Sequence, residues 1–355
     1  MSSTESKPAG APPFGGVRRR AVSAEGASWV RAEPPAGGGR GPVVLSPAVA
    51  DVNLVSWAGE HRALIEGHLL RHGAALFRGF EVGGAEGFEQ FIRAVSGEPL
   101  EYRERSSPRH QVHGRVYTST DYPAHQRIFP HNENSYQHVW PMKLFFFCRT
   151  PAERGGETPT TDTRELLRLL NPATVARFAE RGCMYVRNFD DQFGLPWQTV
   201  FQTDDPAEAE GYCRAAGISA EWVGGGRLRT RAVRPAVAAH PLTGERVWFN
   251  HVAFFHVSTL DPPIRDGLLA TMSEDELPSN TYYGDGSPIE PEVLDEIRDA
   301  YRRATVSFPW RRGDLLLLDN MLTAHSREPY EGRREVLVGM SEPHGPGAAA
   351  GAPPA

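Results

Sequence analysis

Of the thirteen histidines in this 355-residue chain, one is followed two positions later by a carboxylate: His131-Asn132-Glu133. On an extended segment residues i and i+2 point to the same side, so this imidazole and this carboxylate can reach one ion. Taken alone, the triplet fits a solvated strand face equally well. A third ligand is available in His325. It follows Trp310-Arg311-Arg312-Gly313-Asp314 and Leu315-Leu316-Leu317-Leu318-Asp319-Asn320, which read as a turn and then a buried strand. Two histidines and one carboxylate on one side of an ion leave positions open, which suits iron(II) oxygen chemistry. A closed structural zinc site would want four protein ligands, often thiolates, and no cysteine stands near these residues in sequence. Arg334 follows His325 by about one strand length. Its guanidinium can bind the far carboxylate of a dicarboxylic keto acid through two parallel hydrogen bonds. The alternative is a surface arginine beside Arg333 on a charged turn.

The elements that must position these groups are mixed. Helices are predicted over Ser56–His72 with Ser56 as N-cap, over Ala85–Val95, over Thr163–Leu170, over Pro172–Arg181 with Asn171 as cap, and over Glu290–Arg303. Strands are predicted at Ala74–Arg78, Val116–Thr118, Lys143–Cys148, Gly182–Arg187, Leu228–Val233, Arg246–Phe249, Asp314–Leu318 and Val336–Met340. Many short strands punctuated by Gly and Pro favour a barrel or sandwich over a doubly wound sheet. No GxGxxG or GxxxxGK[ST] motif supports a nucleotide fold. Residues 1–40 are rich in Gly, Ala, Pro and Ser and are expected to form a flexible tail, as are 344–355. One domain with helical insertions is expected over 41–343.

The bulk composition narrows the function. With 40% hydrophobic residues the chain can bury a large core. A net charge of -6 and a pI near 6.1 argue against a nucleic-acid partner, which needs a concentrated basic surface. Apolar runs such as Leu144–Cys148 and Leu315–Leu318 are too short to span a bilayer. Arg18, Arg19 and Arg20 are followed by no apolar stretch, so they do not read as a twin-arginine signal. Three cysteines (Cys148, Cys183, Cys213) without a CxxC pair fit a reducing compartment, and a cytoplasmic protein is expected.

Several blocks in order resemble the taurine dioxygenase and clavaminate synthase family of iron/2-oxoglutarate oxygenases. They are Leu76-Phe77-Arg78-Gly79-Phe80, His131-Asn132-Glu133-Asn134-Ser135-Tyr136, Leu144-Phe145-Phe146-Phe147-Cys148, Gly155-Gly156-Glu157-Thr158-Pro159 and Tyr282-Tyr283-Gly284-Asp285-Gly286. Gly313-Asp314 through Asn320, His325-Ser326-Arg327-Glu328-Pro329-Tyr330 and Gly332-Arg333-Arg334 complete the set. The resemblance covers nearly all of 41–343. It implies a mainly β chain with flanking helices, built as a double-stranded β-helix (a jelly-roll, cupin-like barrel). It also implies iron(II) held by His131, Glu133 and His325, and 2-oxoglutarate held by Thr158 and Arg334. The expected reaction consumes O2, converts 2-oxoglutarate to succinate and carbon dioxide, and oxidises an unactivated C–H bond. Glu in place of Asp in the first motif is similar to the clavaminate synthase and amino-acid hydroxylase side of the family, nearest the syringomycin-type aspartyl β-hydroxylases. The sulfonate-binding arginine of taurine dioxygenases falls near Val338 here, which argues against a sulfonate substrate.

The implied substrate is an amino acid, free or presented by a peptidyl carrier protein, in secondary-metabolite biosynthesis. Arg109, Asn134, Asn250 and His251 are the candidate substrate contacts. Arg109 reads equally as a surface arginine, and His251 equally as a core residue. A basic rim over Arg103–Arg109 could meet a negative phosphopantetheine arm. Phe145–Phe147 read as core, and His110, His113 and His240 as ordinary surface or loop residues. Desaturation or cyclisation by the same oxidation chemistry is the nearest alternative. A non-catalytic jelly-roll binding module would predict a broken triad, and a zinc hydrolase would want an HExxH-type helix.

Overall fold

The computed structural model describes residues 29–35, 39–101, 109–119, 122–190 and 194–346. The chain is mainly β, with helices packed on the sheets. Its largest sheet has eight strands in the order Val30–Glu33, Val43–Pro47, Ala74–Phe77, Leu315–Asp319, Trp140–Thr150, Glu335–His344, Val116–Thr118 and Gln111–His113. The continuous apolar runs at its centre arise because both faces are covered, which removes the usual polar alternation. Leu315 to Leu318 pair antiparallel with Phe147 to Leu144. Phe145, Phe147, Leu315 and Leu317 face a helical layer that supplies Trp57, Ile65, Phe88 and Phe91. Leu144, Phe146, Leu316 and Leu318 face the other way, towards Trp310, Val336, Val338 and Met340. Each such buried side chain stabilises the fold by about 1.5–3 kcal/mol.

A four-stranded sheet of Thr305–Val306, Thr160–Asp162, Thr323–Arg327 and Ile128–His131 stands on that second side. The rings of Phe146 and His325 meet at 5.0 Å between the two sheets. A further four-stranded sheet orders Ile218–Trp222, Leu228–Arg234, Cys183–Phe189 and Ser279–Tyr283. Helices Trp197–Phe201 and Pro206–Ala215 accompany it. The second of these begins with Asp205 accepting from Ala207 N, and Pro206 in its first turn. That start signal stands in the sequence.

Three expectations are corrected here. The helix predicted over Ser56–His72 is two, Leu54–Glu60 and Arg62–His72, and the cap is Asn53, whose side chain accepts from Ser56 N. His61 breaks the run because its ring Nδ1 donates to Trp57 O at 2.7 Å while its backbone leaves helical angles. The second helix ends at Gly73 with φ 72, where a Cβ would lie 2.2 Å from Thr323 Oγ1. Conformation and close approach both require glycine there. Finally, within the segment expected as a tail over 1–40, Val30–Glu33 runs antiparallel to Val43–Pro47, with Val30 buried, while 1–28 and 36–38 lie outside the described residues. Its Gly- and Pro-rich flanks hide a strand this short. At the other end the last strand runs through His344.

Candidate metal centre

Strand pairing brings the three expected ligands together. His131 ends Ile128–His131, His325 sits within Thr323–Arg327, and the two are register partners with ring centroids 4.4 Å apart. Glu133 joins them from a turn, because the strand ends at His131 and Asn134 is left-handed at φ 57. The extended same-side geometry expected for His131 and Glu133 is thus replaced by a bend that folds the carboxylate back. One ligand atom from each of His131, Glu133 and His325 lies within 4.8 Å of the others. His131 Nδ1 is 2.9 Å from Phe129 O; a carbonyl can only accept, so Nδ1 carries the proton and Nε2 is left for a metal. His325 Nε2 is 3.8 Å from Glu133 Oε2. Burial pulls His131 below the usual histidine range, against the opposing pull of Glu133. His325 is driven well below that range, by burial first and then by His131. Neutral imidazoles beside a carboxylate are the donor set a divalent ion needs, so these residues fit the metal.

Arg334 and Thr158 form a second corner. Arg334 donates from Nε to Gly156 O at 2.8 Å, from Nη2 to Thr158 Oγ1 at 3.3 Å and from Nη1 to Ser119 Oγ at 3.4 Å. A Cβ on Gly156 would lie 2.9 Å from Arg334 Cδ, so glycine at this position lets the guanidinium stem pass. Burial, with Arg327 nearby, lowers Arg334 to about 10, so it remains charged near neutral pH. Trp310 Nε1 donates to Thr158 Oγ1 at 3.0 Å. Having accepted from Trp310 and Arg334, that hydroxyl has its own proton left to donate, which suits a carboxylate oxygen.

The expected substrate contacts separate. Asn134 is buried, and its Oδ1 has no hydrogen-bond partner among the described residues. His251 is buried with its ring 5.5 Å from that of His131, and its Nδ1 lies 2.6 Å from Ser135 Oγ. Burial, followed by His131, drives His251 well below the usual histidine range. Asn250 instead turns inward: Nδ2 donates to Ala236 O and Oδ1 accepts from Val252 N, which leaves its amide as backbone support. Arg109 is placed unexpectedly. Its Nη2 donates to both oxygens of Glu133, at 3.0 and 2.9 Å, with the two side chains 4% and 3% exposed. The rest of the expected basic rim, from Arg103 on, lies outside the described residues.

Sequence reasoning missed other residues. Phe254 stacks on His131 at 4.8 Å and Tyr136 meets His251 edge-on at 5.0 Å, giving the His131 side of the site an aromatic wall. The Arg187 guanidinium lies 5.6 Å from the Tyr136 ring centroid and contributes to the lowering of His251. Asn320 bonds to the main chain of Glu133. His240, read as a surface or loop residue, is 1% exposed and bonded to Asp319. No local pattern marks Phe254 or Arg187, whose roles depend on tertiary placement. Asn320 stands in a block whose order was visible but whose contact was not.

Two imidazoles and one carboxylate in a single cluster are the ligand set of mononuclear non-haem iron oxygenases. The comparisons agree and give the family. The chain belongs to the family described as "Taurine catabolism dioxygenase TauD, TfdA family", whose model matches residues 40–340. It is 40% identical over 305 residues to the dapdiamide synthesis protein DdaC of Enterobacter agglomerans, covering 86% of this chain and 92% of that protein. It is 30% identical over 317 residues to a clavaminate synthase-like protein of Arabidopsis thaliana, covering 84% and 93%. In fold it is similar to PvcB of Pseudomonas aeruginosa, an Fe, alpha-ketoglutarate dependent oxygenase from an isonitrile synthetic pathway. That match has a TM-score of 0.52 at 17% identity, over 88% of this chain and 90% of that one. The protein is an Fe(II)/2-oxoglutarate-dependent oxygenase, with iron(II), 2-oxoglutarate and O2 as its cofactor and co-substrates.

Proposed function

We propose that this oxygenase hydroxylates an unactivated C–H bond of an amino acid, free or tethered to a carrier protein, in the cytoplasmic biosynthesis of a secondary metabolite. The eight- and four-stranded sheets form the two walls of a jelly-roll barrel in this reading. His131, Glu133 and His325 hold iron(II), and Arg334 with Thr158 holds the distal carboxylate of 2-oxoglutarate. The observation that carries it is the pairing of a three-ligand cluster with an arginine whose hydrogen-bond partners are neutral oxygens. The relative that works in dapdiamide synthesis supports the biosynthetic setting. Among the described residues no helix is long and apolar enough to cross a membrane.

The bound iron supplies oxidising power: O2 and 2-oxoglutarate become succinate and carbon dioxide, and one oxygen atom enters the substrate C–H bond. The protein places and shields. Arg334 and the Thr158 hydroxyl fix one end of the keto acid. Phe254, Tyr136 and Phe255 crowd His131 and His251, which excludes water and limits where a target carbon can lie. Asn134 Oδ1, an acceptor without a partner among the described residues, suits an ammonium or amide N–H of the substrate.

The test is succinate release by iron-loaded protein exposed to O2, comparing wild type with His131→Ala and Arg334→Ala. Iron-dependent succinate that disappears in both variants supports the ligand and keto-acid assignments. Product analysis with single amino acids and their carrier-bound forms then separates hydroxylation from desaturation or cyclisation. Unchanged turnover in His131→Ala would refute the metal assignment.

A further inference from the structure

The two parts of the triad come from distant segments, and one buried side chain staples them. Asn320 follows the strand Leu315–Asp319 and lies 187 residues from Glu133 in sequence. It is fully buried, and its polar groups are shared between the segment that carries the first two ligands and the start of the strand Trp140–Thr150. Its Oδ1 accepts from Glu133 N at 2.8 Å, and its Nδ2 donates to Glu133 O at 2.9 Å and to Pro141 O at 2.8 Å. Its main-chain O accepts from Asn132 Nδ2 at 2.5 Å, and its main-chain N donates to Met142 O at 2.8 Å. Glu133 lies in a turn beside left-handed Asn134, outside any strand ladder. The amide of Asn320 therefore does for Glu133 what a neighbouring strand would do, satisfying its N–H and its C=O together. Aspartate could accept but not donate here, and an apolar isostere could do neither.

The turn that presents Asn320 is itself fixed. Asp319 Oδ1 accepts from Met321 N and Leu322 N, both at 2.9 Å, while Oδ2 lies 3.0 Å from His240 Nε2. His240 Nδ1 accepts from Thr243 N at 3.2 Å, so its Nε2 carries the proton and donates to Asp319. Thr163 Oγ1 donates to Met321 O at 2.6 Å and Thr163 N to Leu322 O at 3.0 Å. The next residue, Thr323, starts the strand that carries His325.

We propose that Asn320 is a positioning residue of the metal site, locking Glu133 to the turn that leads into His325, with Asp319 and His240 setting that turn. The inference rests on the reading of His131, Glu133 and His325 as metal ligands. Metal sites lose affinity when a ligand drifts by about 0.5 Å, and a turn residue has no ladder to prevent such drift.

The experiment titrates cobalt(II) alone into purified full-length protein and records melting temperature beside it. The variants are Asn320→Ala, Asn320→Asp, His240→Asn, His131→Ala and Ile65→Ala, the last removing a core side chain from the helical layer. Both Asn320 variants are expected to weaken cobalt binding by about tenfold or more. His240→Asn should weaken it several-fold, while Ile65→Ala melts lower and binds cobalt as wild type does. Wild-type cobalt affinity in the Asn320 variants, whatever their melting temperature, overturns the proposal. If Asn320→Ala does not fold, Asn320→Asp and His240→Asn decide on the same criterion. Wild-type affinity in His131→Ala would show instead that the ligand assignment beneath the proposal is wrong.

Discussion

Arg109 and Arg334 are two buried guanidinium groups, one against the ligand cluster and one against Thr158, and they are compensated in different ways. Arg109 faces a carboxylate, with Nη2 bonded to both oxygens of Glu133. Arg334 faces Gly156 O, Thr158 Oγ1 and Ser119 Oγ, and among the described residues no ion pair joins it to an acid. A buried cation with a buried anion is internally neutralised, and removing either partner strands the other. A buried cation among neutral oxygens keeps its net charge and gains most from an anion brought from outside. The first arrangement is complete within the protein, and the second is the one the proposed hold on 2-oxoglutarate would complete. This is why Arg109, expected from sequence as a substrate contact, is better described by what it does for Glu133.

Paired substitutions to methionine would break the comparison most sharply. Arg109→Met leaves Glu133 uncompensated in a nearly dry pocket and should cost about 3–5 kcal/mol of stability in metal-free protein. Arg334→Met removes a desolvated charge that has no acid partner, so its stability should stay within about 1 kcal/mol of wild type. The ranking reverses for 2-oxoglutarate binding to cobalt-loaded protein. There Arg334→Met should lose about 100-fold, equivalent to about 2.7 kcal/mol. Equal stability losses in denaturant titrations would mean that the two corners are not distinct.

The contrast also marks where the sequence was legible. His131, Glu133, His325, Thr158 and Arg334 stand in local blocks whose residue types limit their chemistry; the structure clusters the first three and sets Thr158 against Arg334. The strands at Leu144–Cys148 and Leu315–Leu318 were equally plain, because sheets covered on both faces write unbroken apolar runs. What stayed hidden was pairing between distant residues. Nothing around Arg109 announces Glu133, nothing around His240 announces Asp319, and Asn250 looks as able to meet a substrate as to brace its own backbone. The division of the helix expected over 56–72 turned on one ring nitrogen of His61 reaching back to Trp57 O. Val30–Glu33 gains its stability from Val43–Pro47 and has no pattern of its own.

A smaller effect would sharpen the Arg334 corner without touching the arginine. Trp310→Phe keeps an aromatic side chain but deletes the donor to Thr158 Oγ1, leaving the hydroxyl less fixed in orientation. One neutral hydrogen bond contributes about 1 kcal/mol, so 2-oxoglutarate affinity should fall about fivefold. Cobalt binding should not change, since among the described residues no hydrogen bond of Trp310 reaches the triad. A cobalt defect would mean that the two corners are mechanically linked through the Phe146–His325 contact.

The smallest expected effect is pH dependence, and its smallness is informative. Arg334 is lowered only to about 10, so it stays protonated through pH 9, and a bound anion would raise it further. His131 and His325 are held below the ordinary histidine range by burial, so they are already neutral at pH 7 and lose no proton on the way to pH 9. Both carboxylates of 2-oxoglutarate are ionised throughout that range. Neither Arg334, proposed to grip the keto acid, nor His131 and His325, proposed to hold the metal, should titrate there. Affinity for 2-oxoglutarate, measured by calorimetry on cobalt-loaded protein, should therefore vary by less than about threefold between pH 7 and 9. A tenfold fall over the same range would require a group that loses its proton near neutrality to grip the anion. That would transfer the role from Arg334 to a histidine or to a metal-bound water.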